Sequence, residues 1–271
     1  MDRIQSAIAK ARARRDAGGL TDPSRPGAPG GPAAAAWAAL PAARLDARQL
    51  RRNRIHADRA SAEAGPFDML RTRLLRSLKT GKWRRVAITS PDAGCGKSTL
   101  AANLALSLAR QADLRIVLCE MDLRRPSLGR LLGLPEPPHW PDALSGAAPV
   151  EDRLQRIGGN LGLALCARPV DGAAELLQGA GTLAALERLE RRFAPDVVLF
   201  DLPPMLRADD ALAALDKVDC ALLVAEAEVT PVAEIDRCEH DLAEITNVLG
   251  VVLNKLRHGG GDGYGYGPAA E

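Results

Sequence analysis

Along most of this chain the apolar residues come in short unbroken runs rather than in alternation with polar ones. Such runs stand at Arg85–Thr89, Arg115–Glu120, Leu161–Cys166, Val197–Asp201, Ala221–Ala225 and Gly250–Asn254. Their length and their content of Val, Leu and Ile predict strands buried on both faces. Between them, residues 98–110, 127–132, 173–178, 182–193, 209–215 and 231–244 repeat apolar positions at helical spacing. A further helix is predicted from Pro66 to Gly81, where Phe67, Leu70, Leu74, Leu75 and Leu78 recur on one side and Pro66 suits the first turn. Strands alternating with helices predict an α/β domain with a mostly parallel sheet and helices on both faces. In such a sheet ligands gather at the carboxyl ends of the strands, so the residues that follow each run are the ones to inspect.

Before Pro66 the pattern lapses. Residues 1–16 set Ile4 and Ile8 four apart among Arg3, Lys10, Arg12, Arg14 and Arg15. That suits a short helix ordering on a partner, and equally a solvated leader. Residues 17–41 have the Gly, Pro and Ala content of a linker, and residues 42–64, charged and alanine-rich, have a weak helical tendency that assigns no element. The expected organisation is a basic arm with linker over 1–65, a P-loop domain over 66–258, and a Gly/Tyr tail over 259–271.

Composition narrows the partners. The formal net charge is +2, yet residues 1–60 carry twelve Lys and Arg against five Asp and Glu, so the basic character belongs to the arm. An acidic protein or an anionic membrane surface fits such an arm; no aromatic residues are interleaved to favour nucleic acid. With 46% hydrophobic residues and only three Phe, three Trp and two Tyr, the core must be aliphatic. Five widely spaced cysteines suggest a reducing compartment without a structural metal site. No run is long enough to span a membrane and the first residues lack a signal peptide's apolar core, so the expected location is cytoplasmic.

The chemistry is concentrated where the first predicted strand ends. Asp92, Ala93, Gly94, Cys95, Gly96, Lys97, Ser98 and Thr99 form a glycine-containing loop between strand and helix. Gly94 and Gly96 let backbone N–H groups close around an anion at a helix N-terminus. Lys97 supplies a charge for phosphate and Ser98 a hydroxyl for magnesium, which predicts a site for MgATP. The general phosphate-loop pattern wants glycine where Pro91 stands. Cys95 reads as an oxidant-sensitive thiol or a small spacer.

Three later strand ends add to this loop. The second is followed by Glu120, Asp122, Arg124 and Arg125: a carboxylate there can hold the metal's water shell or accept a proton, and the arginines can neutralise phosphate or hold a neighbouring subunit. The fourth ends at Asp201 and runs into Pro203 and Pro204, as a Walker B carboxylate beside magnesium requires. Asn254 closes the last strand with an amide that suits an adenine edge, or a plain turn. Both tyrosines of the chain, Tyr264 and Tyr266, stand in a glycine-rich tail, which suggests phosphoacceptors.

Together these motifs resemble the bacterial tyrosine kinases of capsule and exopolysaccharide systems, the stand-alone cytoplasmic type. That family has a deviant P-loop NTPase fold, shared with partition and septum-placement ATPases. Its Ser-Pro loop start is matched at Ser90 and Pro91, its Asp-Leu-Arg-x-Pro at Asp122 to Pro126, its Walker B with Pro-Pro at Asp201 to Pro204, and its tyrosine cluster at Tyr264 and Tyr266. The resemblance implies autophosphorylation of the tail, with Lys97, Arg124, Glu120, Asp122 and Asp201 as catalytic residues and Ser98, Asp122 and Asp201 around Mg2+. It further implies a homo-oligomer recruited to the inner membrane face by a polysaccharide co-polymerase whose cytoplasmic segment activates it. Three features depart from the family: Glu120 stands where aspartate is usual, the Glu-x-x-Arg-x-x-Arg assembly helix retains only Arg71, and the tail holds two tyrosines, fewer than the usual cluster. A regulatory ATPase of the partition type, which phosphorylates nothing, is the alternative; a binding module with degenerate catalysis is a third.

Overall fold

The computed structural model describes residues 31–256, apart from 135 and 208. The proposed acceptors Tyr264 and Tyr266, and the short helix expected at 1–16, lie outside the described residues.

Seven strands form one sheet: β1 (Arg85–Thr89), β2 (Ile116–Glu120), β3 (Gln155–Ile157), β4 (Leu161–Ala164), β5 (Val197–Asp201), β6 (Cys220–Glu226) and β7 (Asn247–Asn254). Their order is β3-β4-β2-β5-β1-β6-β7, parallel throughout except for β3 against β4. The central strands are buried along nearly their whole length, as the unbroken apolar runs require. Successive residues serve opposite cores: Val86 and Ile88 face one cluster with Leu104 and Leu108, whereas Ala87 faces the other with Leu189 and Phe193. The register sets Glu120 beside Asp201 and Ile88 beside Asp201, so the carboxyl ends of β1, β2 and β5 finish level with one another.

Helices cover both faces. One side holds α3 (Gly65–Gly81) and α4 (Lys97–Ala109), with the short α5 (Leu128–Leu132) beside them. The other holds α8 (Ala180–Phe193) and α10 (Val232–Ile245), with α6 (Pro141–Leu144), α7 (Ala173–Gln178) and α9 (Asp210–Leu215). The edge strand β3 was not predicted; its three residues are too few for a periodic signal.

The stretch before Pro66 differs most from expectation. Within the supposed linker, Pro32–Ala39 forms a helix, α1, and in the weakly helical stretch that follows Ala47–Arg52 forms α2. The cause is Trp37, a single large residue among alanines. Its Nε1 donates to the Phe193 carbonyl at 2.7 Å, and its ring meets Phe193 edge to face at 5.9 Å. It lies over Gly162, where a Cβ would stand 3.3 Å from the indole. Beyond it, Pro41 and Ala43 exchange backbone hydrogen bonds with Arg156 on β3. The strap then crosses to the opposite face, where the buried Asn103 of α4 accepts from the backbone N–H groups of His56 and Ala57 and donates to the Arg54 carbonyl. Every donor and acceptor of that amide is used, since its second N–H bonds Thr99 within the helix.

Candidate active site

The phosphate loop leaves β1 and enters α4 through two glycines in the left-handed region, Gly94 at φ 89° and Gly96 at φ 91°. Gly96 is constrained twice, because a Cβ there would stand 2.3 Å from Asn254 Nδ2. That nitrogen donates to the Cys95 carbonyl at 2.8 Å. Asn254, read as an adenine contact, thus braces the loop from behind with its donor, which leaves Oδ1 as the atom a base could meet. Cys95 is buried against Thr230, in keeping with the spacer reading.

A cavity of about 730 Å³ opens above the loop, walled by Lys97, Ser98, Asp122, Arg125 and Pro204 among others. Lys97 Nζ pairs with Asp122 Oδ2 at 2.8 Å, both largely buried. Burial alone would lower the ammonium's pKa, but Asp201, Asp122 and Glu120 outweigh it and hold the value above the ordinary one. Lys97 is therefore charged and parked on a carboxylate at the place where a phosphate would arrive.

Beneath the loop lies Asp201, fully buried. Neither carboxylate oxygen has a hydrogen-bond partner. Burial pushes its pKa up to about 6, against the attraction of Lys97 and the nearby Ser98 hydroxyl, while Asp122 adds to the rise. Orphaned oxygens on a buried acid are the acceptors to which a magnesium water shell would donate. No cluster of three or more His, Cys, Asp or Glu that could hold a metal exists among the described residues. The unpartnered Asp201 oxygens, close to Ser98 and Asp122, fit Mg2+, which takes few protein ligands and keeps water and phosphate oxygens.

Glu120 departs from its expected role as a base. It is buried outside the cavity wall, and both oxygens are occupied by backbone: Oε1 accepts from Ser127 and Leu128 at the start of α5, Oε2 from Cys166 after β4. Burial raises its pKa to about 7 despite these donors. Its longer arm is a tie between two loops, and Asp122 is the acid that faces the cavity.

Arginines line the mouth. Arg124 forms a two-pronged pair with Asp210, and Arg207 pairs with Asp92 across the loop. The segment carrying Arg207 is held alongside by Met205 and Leu206 N–H groups donating to Ser90 and Pro91 carbonyls. The Arg125 and Arg130 side chains have no ion-pair partner among the described residues. Sequence reasoning missed Arg130, Arg207 and Asp210, which stand six to ten residues beyond the ends of β2 and β5 and carry no local signal. Arg71, the residue kept from the assembly helix, donates within the chain to Asp68 and Ser107.

The ParA family model, described as an NUBPL iron-transfer P-loop NTPase, matches residues 83–257, and the chain belongs to that family. Within this class of nucleotide-binding proteins its relatives are bacterial tyrosine kinases. It is 27% identical over 208 residues to tyrosine-protein kinase YwqD of Bacillus subtilis, a match covering 76% of this chain and 86% of the relative. The kinase domain of Escherichia coli tyrosine kinase ETK is similar with a TM-score of 0.66 at 25% identity, over 76% of this chain and 82% of that one. The BceF tyrosine kinase domain gives 0.64 at 26%, over 79% and 93%. The chain is similar to this bacterial tyrosine kinase group in sequence and in fold. The first relatives it matches are longer, and it spans 26–31% of their length.

Proposed function

We propose that this chain is an ATP- and magnesium-dependent protein-tyrosine kinase that phosphorylates Tyr264 and Tyr266 on another copy of itself. The observation that carries the reading is the buried set of Lys97 on Asp122 above an unpartnered Asp201. This is a charge arrangement that an incoming triphosphate completes. Lys97 moves from Asp122 onto the phosphates, and the loop N–H groups hold them at the N-terminus of α4. Ser98, and Asp201 and Asp122 through bound water, would hold magnesium, which would supply neutralisation of the developing phosphate charge. Asp122, released from Lys97, faces the acceptor and takes the phenol proton. The phenolic oxygen bonds to the γ-phosphorus as its bond to the bridging oxygen breaks, and ADP leaves. Arg124 and Arg125 stabilise the charge that spreads on the transferring group.

The reading extends to context. Phosphorylation would control exopolysaccharide or capsule synthesis and export. The chain would act as a cytoplasmic homo-oligomer, recruited to the membrane by a polysaccharide co-polymerase whose cytoplasmic segment activates it. No helix among the described residues is long and apolar enough to cross a membrane. The net positive arm fits docking on an anionic surface or an acidic partner. The match to the ParA model favours one second reading, a regulatory ATPase without transfer to protein.

Incubation with γ-labelled ATP, with and without a candidate activating segment, separates the two. Label on the wild-type chain that vanishes when Tyr264 and Tyr266 are both changed to Phe supports the kinase. Hydrolysis without labelling under either condition supports the ATPase instead.

A further inference from the structure

The edge strand β7 leaves apolar side chains half open. Val251 and Leu253 pair with Leu223 and Ala225 of β6, and Leu223 belongs to the core beneath α10, so both side chains point to the α10 side of the sheet. There they remain 42% and 55% exposed. α10 itself is buried only at Cys238 and Leu242, and the rest of its surface splits into two stripes. Glu234 and Asp241 lie on the inboard one, where Glu234 is close enough to Arg207 to support its charge. The outboard stripe, next to β7, is Val232, Asp236, Glu239 and Ala243, at helical spacing and all exposed. The helix holds five acids against one arginine, and its only ion pair among the described residues is His240 with Glu244. An open apolar strand thus runs beside an unneutralised acidic stripe.

We propose that this surface docks residues 1–16 of the same chain as an amphipathic helix. The contact goes beyond the kinase reading and holds equally for an ATPase. Wound as the helix that its spacing predicts, the segment sets Ile4, Ala7, Ile8 and Ala11 on one face and Arg3, Lys10 and Arg14 along the border of that face. The apolar face matches Val251 and Leu253, and the basic border matches Asp236 and Glu239. In all, the segment has five Lys or Arg against two Asp. A helix this short needs such a partner to order. The tail after Leu256 is nearer in sequence but has the wrong sign, since beyond Arg257 it carries Asp262 and Glu271 and no Lys or Arg. Reach selects the chain's own arm. Residues 17–31 join the segment to α1, whose Trp37 lies over Gly162 of β4 on the same face of the sheet as α10. From β4 to β7 the sheet is five strand spacings wide, about 24 Å in all. A coil of that length and composition spans about 20 Å on average and at most about 50 Å. The arm therefore meets its own α10 at an effective concentration of about a millimolar. While docked, it is withheld from any other acidic surface.

Hydrogen exchange of the full chain, followed by mass spectrometry across residues 232–245 and 247–254, tests the contact. Arg3→Glu, Lys10→Glu and Arg14→Glu together should speed exchange there several-fold, and so should Ile4→Ser with Ile8→Ser. Asp236→Lys with Glu239→Lys should do the same alone, and should restore slow exchange when combined with the three arm reversals. Both acids are exposed, so the fold is kept, and unchanged exchange in α8 verifies it. Equal exchange in all of these proteins overturns the docking, as does acceleration that the combined reversal fails to rescue. Protection that grows with protein concentration assigns the site to a neighbour's arm and overturns the contact within one chain.

Discussion

Replacing Asp201 by asparagine should make the nucleotide-free protein more stable while it abolishes the response to MgATP. The carboxylate is fully buried with both oxygens unpaired, and its pKa rises from an ordinary 3.8 to about 6. Each unit corresponds to about 1.4 kcal/mol, so holding the charged form at pH 7.5 costs about 3 kcal/mol. An asparagine amide in the same place leaves a neutral polar group unpaired, which takes back about 1 kcal/mol. Lys97 keeps its other partner, Asp122 at 2.8 Å, so no buried cation is stranded. The net expectation is a gain of about 2 kcal/mol, or roughly 4–8 °C in Tm for a domain of this size.

The sign of the pH dependence follows. Between about pH 4 and 6 the folded state binds more protons at Asp201 than the unfolded state does, so this residue makes wild-type stability fall as pH rises through that window. The variant lacks the term. The gap between the two should therefore be full above pH 6 and close near pH 4. Thermal melts of both proteins at pH 4.5, 6 and 7.5, with and without MgATP, give the answer. At a hundred-fold excess over Kd the nucleotide adds about 2.7 kcal/mol to the wild type only, which reverses or cancels the order. An asparagine variant that melts below wild type at pH 7.5 without nucleotide, or a gap indifferent to pH, would refute the reasoning.

Glu120→Asp restores the residue usual in the family, yet it should destabilise this chain by about 2 kcal/mol, because the shorter arm cannot reach Ser127, Leu128 and Cys166 together; urea unfolding measures it. Trp37→Ala should cost about 3–5 kcal/mol by opening a cavity over Gly162 and leaving the Phe193 carbonyl unpaired, with amide exchange rising first in α1. Arg207→Ala removes an exposed clasp on Asp92, so it should leave the melting temperature unchanged and speed association of a fluorescent ATP analogue in stopped flow.

Much of the sheet was legible because burial on both faces writes itself as unbroken apolar runs: β1 and β5 begin and end where those runs do. The phosphate loop was legible because backbone cradles need glycine at fixed places. Two kinds of feature were not. The strap is anchored by one tryptophan and one distant asparagine, and a contact between Trp37 and Phe193 leaves no periodicity near either residue. The tie made by Glu120 was hidden for a different reason: its partners are backbone N–H groups, which every sequence contains. In the same way the Arg207 clasp depends on two loops meeting, and loop-to-loop contacts carry no local pattern. The two tail tyrosines were singled out by their place in a glycine-rich segment.

The way Asn103 is used bears on how this protein should be cut. Composition suggests starting a recombinant fragment at Pro66, after the apparent linker. Such a fragment would begin inside the hydrophobic interior: Leu50, Ile55 and Ala57 would vanish from one core and Trp37 and Leu40 from the other. Asn103, in the middle of the helix that follows the glycine loop, would keep its bond to Thr99 and lose the other three. A truncated preparation that fails to bind nucleotide would thus report a damaged helix rather than an inactive enzyme, and the safe boundary lies before Pro32.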